Sequence, residues 1–177
     1  MKKSLDERNL SVKVRLRAME PEDLDALYMI ENDSDIWDVG STNVPYSRYL
    51  LHDYIANASG DIYVDKQVRL IVESENQELV GLLDIMNFDP SHRRAEIGIV
   101  IQRQFRRKGY ATAALRQAIN YSANSIRLHQ LYAYIDAAHK ASSRTFQKVG
   151  FNSVSILKDW LYDGKQYRDV VLMQFFL

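Results

Sequence analysis

Ile99-Val100-Ile101-Gln102-Arg103-Gln104-Phe105-Arg106-Arg107-Lys108-Gly109-Tyr110-Ala111-Thr112 is the stretch on which the reading of this chain turns. An apolar strand ends, a basic loop with one glycine follows, and a helix begins. The first turn of a helix carries N–H groups without intrahelical partners and the positive end of the macrodipole. Phosphate groups bind there. Gly109 lets the backbone approach a ligand closely, and Ala111 is small enough for the same purpose. Arg106, Arg107 and Lys108 add local positive charge. The same residues also suit a solvated basic turn ahead of a helix, and taken alone they leave both readings open.

Downstream of this loop, Ala111, Ala114, Leu115, Ala118, Ile119 and Ser122 recur at helical spacing, so 111–123 is expected to be an amphipathic helix. Positions 131–136 read as a strand, 142–149 as a short helix, and Gly150 as its stop. Two closing strands, 152–157 and 167–176, flank a turn at Asp163-Gly164. Upstream, Ala95, Ile97, Ile99 and Ile101 alternate and share one face of a strand. Strands are also expected at 12–16, 68–73 and 79–86. Pro21 opens a helix over 21–31. Tyr46, Leu50, Tyr54 and Ala58 have helical spacing, and 35–40 reads as a turn. Strands mixed with helices predict an α/β (α+β) domain, a mixed sheet covered on both faces.

Composition bounds the function. The 177 residues suit a single domain over 1–177, and 46% hydrophobic against 26% charged residues describe a packed globule. Lys plus Arg equals Asp plus Glu at 23 each, so no net field draws the chain to nucleic acid or membrane. Cysteine is absent, which excludes disulfides and thiolate chemistry and fits a reducing cytoplasm. The first residues lack the apolar run of a signal peptide, and no apolar run is long enough to span a bilayer. His52, His92 and His129 have no metal-ligand spacing, so no metal is expected.

Arg106-Arg107-Lys108-Gly109-Tyr110-Ala111 resembles the signature of the GNAT acyltransferase superfamily: Gln or Arg, two residues, Gly, one residue, Gly or Ala. His92-Arg93-Arg94-Ala95-Glu96, Lys148-Val149-Gly150-Phe151 and Gly164-Lys165-Gln166-Tyr167-Arg168-Asp169 also sit where the family has matching segments. The resemblance implies the GNAT fold: a mixed, mostly antiparallel sheet splayed in the middle, with helices on both faces. It further implies acetyl-CoA as co-substrate and an amine as acceptor. In such proteins the basic loop, here 106–111, cradles the CoA pyrophosphate. By the same resemblance Ile99, Val100 and Ile101 line the acetyl end of the pantetheine arm. His139 falls near that arm, where the family favours Asn; its plain reading is a polar loop residue. Closing hairpins in the family often pair with a second subunit, so a homo-oligomer is open.

Two positions depart from the family, His139 and Phe146. Many members use a Tyr to protonate the departing thiolate, and here that position holds Phe146. Three explanations stay open: solvent supplies the proton, another Tyr such as Tyr134 or Tyr121 supplies it, or the chain binds acetyl-CoA with little or no transfer. Glu96, on the strand beside the expected acetyl site, is the candidate general base; its structural alternative is a salt bridge to Arg93 or Arg94. The closest subfamily by resemblance is the spermidine N-acetyltransferases, with the ribosomal-protein N-terminal acetyltransferases as rival, so the partner is a small amine or a peptide N-terminus. A polycation leaving water needs carboxylates. Glu31 and Asp38, with Asp33 and Asp35 nearby, are the candidates, set against a solvated acidic turn.

Overall fold

The computed structural model describes residues 12–33 and 44–177. One seven-stranded sheet organises them, in the order β1-β2-β3-β4-β5-β7-β6. The strands are β1 (Val14–Arg17), β2 (Val68–Ser74), β3 (Leu79–Asp89), β4 (Arg94–Ile101), β5 (Gln130–Asp136), β6 (Asn152–Tyr162) and β7 (Tyr167–Phe176). Every neighbouring pair is antiparallel except β4–β5, which is parallel.

Helices cover both faces. On one side lie α1 (Leu24–Glu31) and α2 (Arg48–Asn57), and Leu27, Ile30 and Leu51 pack there on Ile71 and Leu82 of the sheet. A short helix, α3 (Ile62–Asp65), leads into β2. On the other side α4 (Tyr110–Tyr121) buries Ala114, Leu115 and Ala118 against Val72, Leu83, Ile85 and Ile97. The neighbours Ile71 and Val72 therefore serve opposite faces, as strand alternation requires. α5 (Lys140–Lys148) follows β5 and adds Phe146 to the larger core.

Two local details correct the sequence expectations. The face of α2 was expected at Leu50, but Leu50 is 50% exposed and Leu51 is 3% exposed. The helix starts only at Arg48, and its rotation follows from the docking of Leu51 on α1 rather than from the position of Tyr46. The helix at 62–65 has no counterpart in the hydrophobic pattern; Asp61 starts it by accepting a hydrogen bond from the Tyr63 N–H at 2.8 Å. The expected turn at 35–40 lies outside the described residues.

The parallel pair is short. Its register runs Arg94↔Gln130, Ala95↔Leu131 and Glu96↔Tyr132, and ends there. Beyond it β4 continues to Ile101 on β3, and β5 continues to Asp136 on β7. The two strands therefore diverge, and the sheet opens a wedge at its centre.

Candidate active site

The wedge leads into a cleft of about 510 Å3. Its walls include Ile97 through Val100 of β4, Ala133 through Asp136 of β5, His139 and Ser142 at the start of α5, and Phe146 in its last turn. Past Glu96 and Tyr132, neither strand has the other as a ladder partner, so each presents main-chain groups to the gap. An extended ligand with amide groups can pair with such edges.

At the far end of β4 the basic loop joins the sheet to α4. Arg106 donates from Nε to the Ile101 carbonyl at 2.9 Å, which ties the loop to the strand end. Arg107 and Gly109 both have positive φ, 62° and 92°. These two left-handed residues turn the chain so that α4 starts at once. Gly109 is its N-cap and supplies no side-chain acceptor to the first turn. The N–H groups of that turn point out of the helix with the macrodipole behind them. Arg106, Arg107 and Lys108 are exposed beside it. Tyr110 packs edge-on to Phe105, ring centroids 5.8 Å apart, and belongs to the core boundary. Ala111 is half-buried in the first turn. The loop, the α4 terminus and the open strand edges therefore fit a molecule with a phosphate at one end and an amide-containing arm at the other.

His139 is the N-cap of α5. Its Nδ1 accepts from the Ser142 N–H at 3.0 Å. A ring whose Nδ1 accepts carries its proton, when neutral, on Nε2. The polar loop residue of the sequence reading is thus a helix cap on the cleft wall.

Glu96 also lines the cleft. Neither arginine of the alternative salt-bridge reading pairs with it. Arg94 reaches Asp89 at 3.2 Å, and Arg93 donates to the Arg127 carbonyl at 2.8 Å. Glu96 instead accepts a hydrogen bond from Asn87 Nδ2 at 2.8 Å. Burial pushes its carboxyl above the ordinary range, and the Asn87 bond opposes that rise. A half-buried carboxylate with a raised pKa in a cleft is suited to take a proton.

Glu31 reaches the same cleft from α1 and pairs with Arg69 Nη1. Arg69 also grips Asp84 with two parallel bonds, Nε–Oδ1 at 2.6 Å and Nη2–Oδ2 at 2.9 Å. Asp84 and Arg69 escaped the sequence reading. They sit in ordinary alternating strands, and only the Arg69↔Asp84 register across β2 and β3 brings them together. Asp136 is held by Arg168 Nη1 at 2.7 Å. Asp38 lies outside the described residues. Of the two tyrosines considered as proton sources, Tyr134 lines the cleft, whereas Tyr121 lines a separate depression with Met19 and Val68. Phe146 is 3% exposed and meets Phe151 edge-on at 5.1 Å.

A sheet opened between the parallel strands β4 and β5, beside a basic loop and a helix N-terminus, defines a site for a pantetheine-bearing acyl donor. The family model of the acetyltransferase (GNAT) domain matches residues 13–152. The chain belongs to that family and is an acetyl-CoA-dependent N-acetyltransferase. It is 27% identical over 164 residues to the spermidine N(1)-acetyltransferase of Escherichia coli K12, covering 92% of this chain and 86% of that one. It is 24% identical to the Vibrio cholerae spermidine N(1)-acetyltransferase, covering 93% of each. The crystal structure of the Vibrio cholerae spermidine N-acetyltransferase with CoA and spermine superposes with a TM-score of 0.82 at 25% identity, over 93% of this chain and 95% of that one. Among the described residues no helix is long and apolar enough to cross a membrane, and no cluster of His, Asp and Glu could hold a metal ion.

Proposed function

We propose that this chain acetylates a polyamine such as spermidine, with Glu96 as general base, in one GNAT domain spanning 1–177. The observation that carries the reading is the cleft at the β4–β5 divergence, whose walls bear Glu31, Asp84, Glu96 and Asp136. A cationic amine entering it exchanges hydration for carboxylates. Arg69 and Arg168 balance part of that charge. The relatives named for spermidine, one with spermine bound, support the same acceptor class.

Bound acetyl-CoA supplies a thioester whose carbonyl carbon bonds to the amine nitrogen as the carbon–sulfur bond breaks. The protein's own residues do the rest. Arg106, Arg107 and Lys108, with the first-turn N–H groups after Gly109, take the pyrophosphate. The β4 edge at Ile99, Val100 and Ile101 takes the arm, and a backbone N–H there holds the charge developing on the carbonyl oxygen. His139 faces the arm from the other wall. An alkylammonium has a pKa of about 10.4, so a proton must leave before attack. Glu96 accepts it, directly or through one water. A thiol has a pKa of about 8.5, so solvent can protonate the departing thiolate. Tyr134 is the side chain on the cleft wall that would replace solvent.

We place the enzyme in the cytoplasm as a homo-oligomer. β6 is an edge strand that exposes Ile156, Trp160 and Tyr162, and an apolar edge of this kind is usually covered.

An amine panel with acetyl-CoA, following free CoA, tests the reading. Spermidine and spermine should turn over with the highest kcat/KM. A ribosomal-type N-terminal peptide as the preferred acceptor would overturn the polyamine assignment. CoA binding without turnover on any amine would overturn catalysis by this site.

A further inference from the structure

The pairing of β3 with β4 contains one irregularity, and it lies beside Glu96. Met86 pairs with Glu96 and Asp89 with Arg94, so two residues, Asn87 and Phe88, stand opposite Ala95 alone. This two-against-one count is a β-bulge. Phe88 takes the regular place: it is buried in the same core as Ala95. Asn87 is the extra residue, with φ at +50°.

The bulge decides where Asn87 points. Directly paired residues share a face of the sheet, so Met86 and Glu96 both line the cleft. In a regular strand residue 87 would face the opposite side. The left-handed backbone at Asn87 returns its side chain to the cleft side, where Nδ2 meets Glu96 Oε2 at 2.8 Å. A non-glycine residue at positive φ is uncommon, and Asn tolerates it better than most. The amide can donate to Glu96 only because of that geometry.

We infer that Asn87 is a positioning residue for acetyl transfer: bulged out of β3, it fixes Glu96 Oε2 and leaves Oε1 to meet the proton of the acceptor amine. The inference rests on the reading of Glu96 as general base. One carboxylate oxygen held by a neutral donor keeps the group ionised against burial and sets its orientation. Other groups around Glu96 do not replace this contact. Tyr132, its partner on β5, has its phenol pushed upward by burial and then by Glu96 itself, so it stays neutral. Arg94 and Asp89 pair with each other. Asp84 is gripped by Arg69, Asp136 by Arg168, and His139 caps α5.

The test is the acid limb of the pH profile of kcat/KM, measured on the whole enzyme with its best amine. Asn87→Gly keeps the positive φ and loses the donor. Asn87→Asp also tolerates the bulge but places a second carboxyl beside Glu96. Both should move the limb to higher pH, by roughly half a unit or more for Gly and about one unit or more for Asp. At a pH below the limb these shifts read as roughly three- and tenfold losses of rate. The series is repeated in a His139→Asn background, since His is a side-chain type that titrates near neutrality. Glu96→Gln should abolish the limb. If it does and neither Asn87 variant moves the limb, Asn87 serves only the bulge and the inference fails while the base assignment stands. A limb that survives Glu96→Gln overturns the base assignment itself, and the inference with it.

Discussion

At the scale of the residue, Glu96 and His139 carry the predictions. Glu96→Gln removes the proton acceptor and keeps the shape, so turnover should fall roughly 10²- to 10⁴-fold, with CoA affinity little changed. The loss should shrink as pH rises, because more amine arrives neutral. The sign follows from the raised pKa of Glu96: the carboxylate fraction falls as pH drops through that value, and native activity falls with it. A pH–rate series on both proteins measures this; near-normal rates of the variant at neutral pH would remove Glu96 from the mechanism. His139 has two functions to separate. His139→Ala deletes the N-cap of α5 and should cost about 1 kcal/mol in urea unfolding. His139→Asn restores a capping oxygen, so stability should return. If CoA affinity returns with Asn as well, the ring acts on the arm only by holding α5.

At the scale of the element, glycines mark where backbone must pass close or turn. Gly150 ends α5 at φ +107°; its N–H bonds the Gln147 carbonyl at 3.0 Å, and the Phe151 N–H bonds the Phe146 carbonyl at 3.1 Å. These two bonds form a Schellman stop. A Cβ at Gly150 would also sit 2.8 Å from the Phe175 ring. Gly150→Ala should therefore destabilise by about 1–3 kcal/mol, read by chemical denaturation. Gly109 differs: the nearest atom to an added Cβ, Val12 Cγ2, is at an ordinary 3.4 Å. Its constraint is φ +92° rather than space. Gly109→Val should twist the α4 terminus out of position and weaken CoA binding roughly tenfold, about 1.4 kcal/mol, in a protein that still folds. Unchanged affinity by calorimetry would mean that this terminus does not bind the pyrophosphate.

At the scale of the whole molecule, a buried charge cluster joins β1 to the start of α1. Arg17 donates to Asp23 from Nη1 at 2.7 Å and from Nη2 at 2.9 Å, and to Glu73 on β2 from Nε at 2.7 Å. The Glu20 N–H adds a 2.8 Å bond to Asp23. The Arg17 guanidinium first, and that N–H after it, hold the Asp23 carboxyl below the usual range despite burial. A depressed folded pKa contributes stability that is present above the unfolded value, about 3.9, and is lost as pH falls through the folded value. Asp23→Asn should cost about 1.5–3 kcal/mol at pH 7, the range for hydrogen bonds to charged groups. The gap between the two proteins should close as the pH drops below about 4, in urea titrations at several pH values. A gap independent of pH would assign the cost to packing.

Apart from the short helix at 62–65, the order of elements and the loop at 106–111 were legible in the sequence, because period-two and helical spacing, a lone glycine and a run of basic residues are local properties. Gly150 as a helix stop and Ala114, Leu115 and Ala118 as the buried face of α4 follow from the same local rules. What surrounds Glu96 was not legible. The arginines of its alternative salt-bridge reading turn to Asp89 and to the Arg127 carbonyl, and its actual partner is Asn87. That contact depends on one extra residue in β3, which alternation counted along a single strand does not register. Arg69 and Asp84 likewise meet only through the register of two strands. The rotation of α2 onto Leu51 is set by the docking surface on α1 and the sheet, since its own spacing admits neighbouring faces at similar cost. Local sequence determined which segments are strand, turn and helix, because those choices are made by backbone sterics and near-neighbour burial. Which carboxylates share the cleft, and which of them already holds a cation, was decided by the tertiary structure, because charge pairing acts through space between residues distant in the chain.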